Sequence, residues 1–242
     1  MFAHMKHARS RLGVVIIAVS VCTASHADWR NYVWTYQYMT MPKGHTEVEF
    51  YHTIKFDAVD SWEYRIELEH GITDHLDIAL YQIFKQTEGG SFGWDAVQFR
   101  TRYRFGERDA WFVNPLLYLE YNRPLSTARP NKAEVKAIVD KNIGTFNVAV
   151  NPLYELFFMP GIKHEIGVDV AASYRFLHER LGVGAEMSNR TEFEDGEAEV
   201  QNYVGPTFSY KAGTLFATIG VQFGVSEAAS AVRGRSIIGL FF

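Results

Sequence analysis

The sequence predicts an all-β fold: a single transmembrane antiparallel β-barrel of about 12 strands, with an N-terminal segment in the lumen or at the periplasmic rim. Three observations predict it. The chain opens on an export signal, polarity alternates with a period of two from Thr46 onward, and the connections between alternating stretches are by turns short and long.

Residues 1–27 read as a signal peptide. Met1 to Arg11 carries Lys6, Arg9 and Arg11 with no acid, Leu12 to Cys22 is apolar, and Ser25-His26-Ala27 sets small residues at the −3 and −1 positions. The apolar run of 11 residues is too short for a spanning helix, which needs roughly 20. Cleavage before Asp28 removes the single cysteine, Cys22, so the mature chain has no thiol chemistry. It leaves 21 Lys and Arg against 28 Asp and Glu, an acidic balance that argues against nucleic acid as a partner. The remaining 215 residues suit one β domain, with 28–45 as an N-terminal segment and 46–242 as the barrel. Aromatic content of 15% with slightly negative mean hydropathy excludes a helical membrane protein, because no later window holds eighteen apolar residues.

Three stretches show the alternation most cleanly. In 61–70, Trp62, Tyr64, Ile66 and Leu68 alternate with Glu63, Arg65, Glu67 and Glu69. In 95–105, Val97, Phe99, Thr101, Tyr103 and Phe105 alternate with Gln98, Arg100, Arg102 and Arg104. In 164–176, Ile166, Val168, Val170, Ala172, Tyr174 and Phe176 alternate with Glu165, Asp169, Ser173 and Arg175. Successive strand side chains point to opposite faces, so each stretch has one apolar and one polar face. The same reading gives strands at 46–56, 61–70, 76–86, 95–105, 110–122, 133–142, 146–157, 164–176, 181–190, 198–210, 215–225 and 236–242. Tight connections at 71–75, 106–109, 141–145, 177–180 and 211–214 alternate with longer ones at 87–93, 123–132, 158–163, 191–197 and 226–235, with 58–60 as a short exception. Short periplasmic turns and long external loops alternate in this way in bacterial barrels.

Residues 28–45 break the count. Tyr32, Trp34, Tyr36 and Tyr38 alternate as a strand would, yet a thirteenth strand would leave the two ends of the barrel on opposite sides of the membrane. A lumenal or rim position, with a turn at Met41-Pro42-Lys43-Gly44, resolves this; an extra edge pairing is the alternative. At the other end Ile238, Leu240 and Phe242 alternate up to a terminal Phe. That pattern resembles the C-terminal signature of outer-membrane barrels, which the barrel assembly machinery reads.

A soluble sandwich would also alternate. Aromatics at strand ends (Trp62, Trp94, Tyr103, Trp111, Tyr121, Tyr154, Tyr174, Tyr210) favour interfacial girdles instead. With the apolar faces on lipid, the lumen is lined by Glu63, Arg65, Glu67, Glu69, Arg100, Arg102, Arg104, Glu120, Glu134, Lys136, Asp169 and Arg175. An acidic ladder facing a basic one across a narrow lumen would set up a transverse field for solutes. The other reading is that these charges pair into a network that fills the lumen.

Catalysis and metal binding are not expected. No His-x-Ser pair occurs, and Ser173 has no His near it on its own strand face. The six mature His residues are scattered, and His70-Gly-Ile-Thr-Asp-His75 reads as turn chemistry. Glu192, Glu194, Asp195, Glu197 and Glu199 read as an acidic solvated loop, with recruitment of a divalent cation beside lipopolysaccharide as the minor alternative.

Three stretches carry a family resemblance: Met41-Pro42-Lys43-Gly44-His45-Thr46-Glu47-Val48-Glu49, Glu67-Leu68-Glu69-His70-Gly71-Ile72-Thr73-Asp74-His75-Leu76-Asp77-Ile78, and Tyr203-Val204-Gly205-Pro206-Thr207. They resemble the outer-membrane channel-like proteins annotated under phenol-degradation pathways and related uncharacterised barrels. The resemblance implies a barrel that passes small organic, including aromatic, molecules. The expectation is thus a passive outer-membrane channel or uptake protein with no cofactor. Its partners would be the bilayer, lipopolysaccharide, the barrel assembly machinery and small solutes. A structural or adhesive barrel with a plugged lumen, and a lipid-modifying enzyme, are the alternatives.

Overall fold

The computed structural model describes residues 29–56, 61–86, 90–161 and 163–242. The signal peptide expected at 1–27 lies outside the described residues. The strands are β1 (Thr46–Lys55), β2 (Ser61–Thr73), β3 (Leu76–Gln86), β4 (Gly93–Arg104), β5 (Asn114–Pro124), β6 (Asn131–Ile143), β7 (Phe146–Phe158), β8 (Lys163–Phe176), β9 (Leu181–Glu194), β10 (Glu197–Ala212), β11 (Leu215–Gly224) and β12 (Val232–Phe241). Each pairs antiparallel with its sequence neighbours, and β1 pairs with β12 to close a 12-stranded barrel, with Val48 opposite Leu240 and Phe50 opposite Ile238. Closure leaves no edge with unpaired backbone groups.

The period-two pattern sorts side chains as expected. On β7, Phe146, Val148, Val150, Tyr154 and Leu156 are exposed while Asn147, Ala149, Asn151, Leu153 and Glu155 are buried. Ile66, Leu68, Phe99, Ile166, Ile219, Ile238 and Leu240 extend the apolar exterior round the barrel. Trp94, Tyr103, Trp111, Tyr121, Tyr154, Tyr174 and Tyr210 all face outward, and Trp62 stacks on outward-facing His52 at 5.1 Å between ring centroids.

Three connections differ from expectation. The stretch 191–197 is not a long loop: β9 and β10 continue as a ladder to a two-residue turn at Asp195-Gly196, both with positive φ (51° and 87°). Beyond the apolar belt both faces of a hairpin meet water, so pairing persists where the polarity pattern has vanished. Conversely, β5 begins at Asn114 rather than 110, which makes 105–113 a longer connection than the tight turn expected at 106–109. The left-handed Asp109 there (φ 65°) receives the Lys141 ammonium at 2.9 Å, which holds its carboxyl below the usual range. β12 begins at Val232, four residues before the expected start, because Arg233 and Arg235 take lumen-facing positions in the ladder with β11.

The N-terminal segment lies in the lumen. Trp29, Tyr32, Val33, Trp34, Tyr38 and Met41 are buried within the barrel, and among the described residues the segment's single bridge to the sheet is Lys43 with Gly71. Twelve strands therefore pair, not thirteen.

A candidate lumenal site

A segment without regular structure inside a barrel must find partners for its backbone N–H groups. Inward-facing side chains of the wall supply them. On β9 the Glu186 carboxylate accepts three consecutive N–H groups, from Val33, Trp34 and Thr35, each at 2.8 Å. On β7, Asn151 accepts the Tyr36 N–H at 2.5 Å and returns its own N–H to the Tyr36 carbonyl at 3.0 Å. Asp140 on β6 accepts from Tyr38 N–H, and Asp77 on β3 from Met41 N–H, each at 3.0 Å. Wall side chains also donate to the segment's carbonyls: Thr218 to Arg30 at 2.5 Å and Arg235 to Val33 at 3.2 Å.

Side chains of the segment complete the seal. Trp29, Val33 and Trp34 pack with Tyr51, Ala79, Tyr81, Ile83, Phe216 and Ile237, while Tyr38 packs with Leu116, Tyr118 and Ile138. The Tyr32 hydroxyl donates to Asn147, and that of Tyr38 reaches the Phe105 and Gly106 carbonyls in the β4–β5 connection. Burial pushes the Tyr32 phenol well above its ordinary value. Two glycines make room. An ideal Cβ on Gly220 would stand 2.4 Å from Val33 Cγ2, and one on Gly71 would stand 2.1 Å from the Pro42 carbonyl oxygen.

The charges of β2 and β4 do not face one another across the lumen. A single strand, β3, separates them, a spacing of roughly 10 Å that arginine and glutamate side chains span together. They pair sideways along one wall: Arg100 with Glu67 (2.8 Å) and Glu69 (2.5 Å), and Arg102 with Glu69 and with Asp77 (2.7 Å). Arg30 of the segment adds a contact to Glu49 at 3.3 Å. The side chains of Arg100, Glu67 and Asp77 have no water-accessible surface (0%), so at their level this part of the lumen is filled.

The remaining predicted residues all face inward. Arg65 pairs with Glu63 (2.6 Å), Lys136 with Glu134 (3.0 Å) and Asp169 with Arg190 (2.8 Å), while Glu120 accepts from the Tyr118 hydroxyl. Arg104 and Arg175 sit at the end of the barrel that carries the β2–β3 and β8–β9 turns, donating to the Asp74 carbonyl (2.7 Å) and to Glu179 (3.2 Å). Ile238, Leu240 and Phe242 are exposed on the outside of the closing seam. Sequence reasoning missed Glu47, Glu49, Asp77, Glu186, Arg190, Arg233 and Arg235. Glu186 shares its inward face with Gly182 and Gly184 before it and with Ser188 and Arg190 after it; parity with the rest of β9 was the available signal. His70 and His75 diverge, one to Thr46 (2.9 Å) and the other to Glu107 (3.1 Å). Among the described residues, no group of three or more His, Cys, Asp or Glu is arranged to hold a metal ion.

External to the segment the lumen opens into a cavity of about 360 Å³ whose lining includes Glu63, Arg65, Lys85, Asp95, Lys132 and Lys163. Its charges are mostly matched, as in Lys85–Glu63 (3.0 Å), Lys132–Glu155 (2.8 Å) and Lys163–Glu194 (2.7 Å).

A closed antiparallel barrel with an apolar exterior, a charged interior and its own N-terminal segment in the lumen has the fold of the outer-membrane β-barrels. Within that class the chain belongs to the Family of unknown function (DUF6662), whose model matches residues 112–232. No curated protein sequence matches the chain. Among solved structures it is similar to the COG4313 outer membrane channel from Pseudomonas putida F1, at 12% identity and a TM-score of 0.65 over 87% of this chain and 100% of that one. It is also similar to the NanC porin (11%, 0.56, over 81% and 98%) and the KdgM porin (13%, 0.52, over 81% and 98%). At such identities the likeness is one of fold.

Proposed function

We propose that the protein is an outer-membrane channel for small solutes, closed from the periplasmic side by its own N-terminal segment. One observation carries this. The segment is held in the lumen by side-chain-to-backbone hydrogen bonds and packing, with a single bridge to the sheet among the described residues, at its exit, so it can leave without breaking any strand of the barrel. The vestibule of about 360 Å³ external to it is sized for a small molecule. The shared fold with channels and porins supports the reading, and the resemblance of the Met41–Glu49 and Glu67–Ile78 stretches to phenol-pathway barrels favours small organic solutes. The exterior belt is the surface that would meet lipid, and the Ile238-Leu240-Phe242 seam is the proposed assembly signal.

A second reading, a permanently plugged barrel acting through its loops, draws support from the fully occluded Arg100–Glu67 pair. Planar-bilayer recordings separate the two. The mature chain is expected to conduct rarely and a chain lacking residues 28–42 to conduct steadily; silence from both leaves the plugged reading in place of the channel.

A further inference from the structure

We propose that Arg233 and Arg235 form a binding subsite for the carboxylate of a small organic acid, on the lumenal face of β12 beside Trp34 of the N-terminal segment. The proposal rests on the channel reading and names the chemistry of the solute.

Alternation on β12 puts both arginines on the lumenal face, two residues apart. The arginines elsewhere in the lumen are neutralised. Arg30, Arg65, Arg100, Arg102 and Arg190 each have a carboxylate partner, at Glu49, Glu63, Glu67, Asp77 and Asp169 respectively. Arg233 and Arg235 have only neutral acceptors among the described residues. Arg233 donates to the Gln222 side-chain oxygen at 2.6 and 3.0 Å, and Arg235 to Thr53 at 2.9 Å and the Val33 carbonyl at 3.2 Å. A guanidinium carries five N–H donors, so each keeps donors to spare.

The two cations are also held together. Both guanidinium carbons lie over the Trp34 indole, at 4.8 and 5.5 Å from its centroid, and that of Arg233 lies 3.6 Å from the Tyr203 ring centroid. Cation–π contacts fix their orientation without cancelling their charge. Lys55 stands directly opposite Arg233 in the β1–β12 ladder, which adds a third cation at the same height. Both arginines keep partial exposure, whereas Tyr203 and Gln222 behind them are buried. Converging, like-charged, partly desolvated and unpaired guanidiniums favour an anion, and their planar forks match a carboxylate in a bidentate geometry.

Benzoate and the neutral benzyl alcohol are suitable probes, titrated calorimetrically into the refolded mature chain in detergent at constant ionic strength. Benzoate is expected to bind at one saturable site, with benzyl alcohol at least tenfold weaker. The double variant Arg233→Gln/Arg235→Gln should lose tenfold or more in benzoate affinity, while Arg123→Gln, on the outward face of β5, should keep it. Arg233→Lys preserves charge without the fork, so it should bind benzoate several-fold more weakly than the parent yet still prefer it to benzyl alcohol; this arm guards against misfolding of the double variant. Equal affinity for the two probes, no benzoate binding, or unchanged affinity in these β12 variants would overturn the subsite. Because calorimetry does not read conductance, a silent bilayer with benzoate binding intact removes the channel alone, and steady conductance without benzoate binding removes the subsite alone.

Discussion

Trp34 and Glu186 meet through the backbone of one and the side chain of the other: the Trp34 N–H donates to Glu186 Oε2 at 2.8 Å, flanked by the N–H groups of Val33 and Thr35 on the same carboxylate. Three successive N–H groups converging on one anion form a nest-like concavity. Here the wall supplies the anion and the segment supplies the concavity, and this is how irregular backbone is tolerated at the depth of the barrel.

Glu186→Ala leaves those three donors buried and unpaired, at a cost of about 1–3 kcal/mol each. Amide exchange at Val33, Trp34 and Thr35 should accelerate at least a hundredfold while the β7–β8 ladder keeps its protection. Unchanged protection at the three amides would mean that the carboxylate does not hold the segment.

Arg100→Leu strands Glu67 and leaves Glu69 with Arg102 alone; the guanidinium contacts the two carboxylates at 2.8 and 2.5 Å. Removing one member of a buried ion network costs about 3–5 kcal/mol. The urea midpoint for unfolding in detergent should fall accordingly, and a midpoint equal to that of the parent would refute the network as a stabilising element.

The barrel itself was legible in the sequence because lipid on one side and water or protein on the other impose a strict period of two. Glu63 through Glu69 and Arg100 through Arg104 declared their common face by parity alone. What parity could not give was the third dimension of the lumen. Neighbouring even-spaced charges on β2 and β4 looked able to oppose one another, yet strand order places them on one wall with β3 between. The segment's strand-like Tyr32-Val33-Trp34-Thr35-Tyr36 alternation was equally misleading. Its N–H groups turn to Glu186 and Asn151 instead of a neighbouring strand, a choice written in distant positions. The lumenal cations Arg233 and Arg235 fell in a stretch that read as loop, since Gly234 and Ser236 beside them supply no apolar face.

Gly71→Ala tests the exit of the segment. A Cβ there would stand 2.1 Å from the Pro42 carbonyl oxygen and 2.5 Å from that of Met41, and backbone atoms cannot swing aside. The turn should detach, and tryptic cleavage after the exposed Lys43 should become several-fold faster. A cleavage rate equal to the parent's would show that the close approach is not needed.

Ile66→Arg and Val200→Arg together locate the lipid. Both side chains are exposed to 40%, but Ile66 lies midway along β2 and Val200 in the extended β9–β10 hairpin. A lipid-facing arginine costs about 2–4 kcal/mol at the midplane and about 0–1 near the interface. Equilibrium folding into phospholipid vesicles should show the large penalty for Ile66→Arg alone; equal penalties would contradict the placement of the belt.

In the proposed channel, displacement of the N-terminal segment opens the lumen. Since an ideal Cβ on Gly220 falls 2.4 Å from Val33 Cγ2, a Val33→Cys/Gly220→Cys pair places its Cβ atoms about 4 Å apart, within disulfide range. The decisive measurement is single-channel recording of this double variant, oxidised and then reduced in the same bilayer. Silence is expected while the bond is intact and conductance events once reductant is added; equal conductance in both states would rule out gating by the segment.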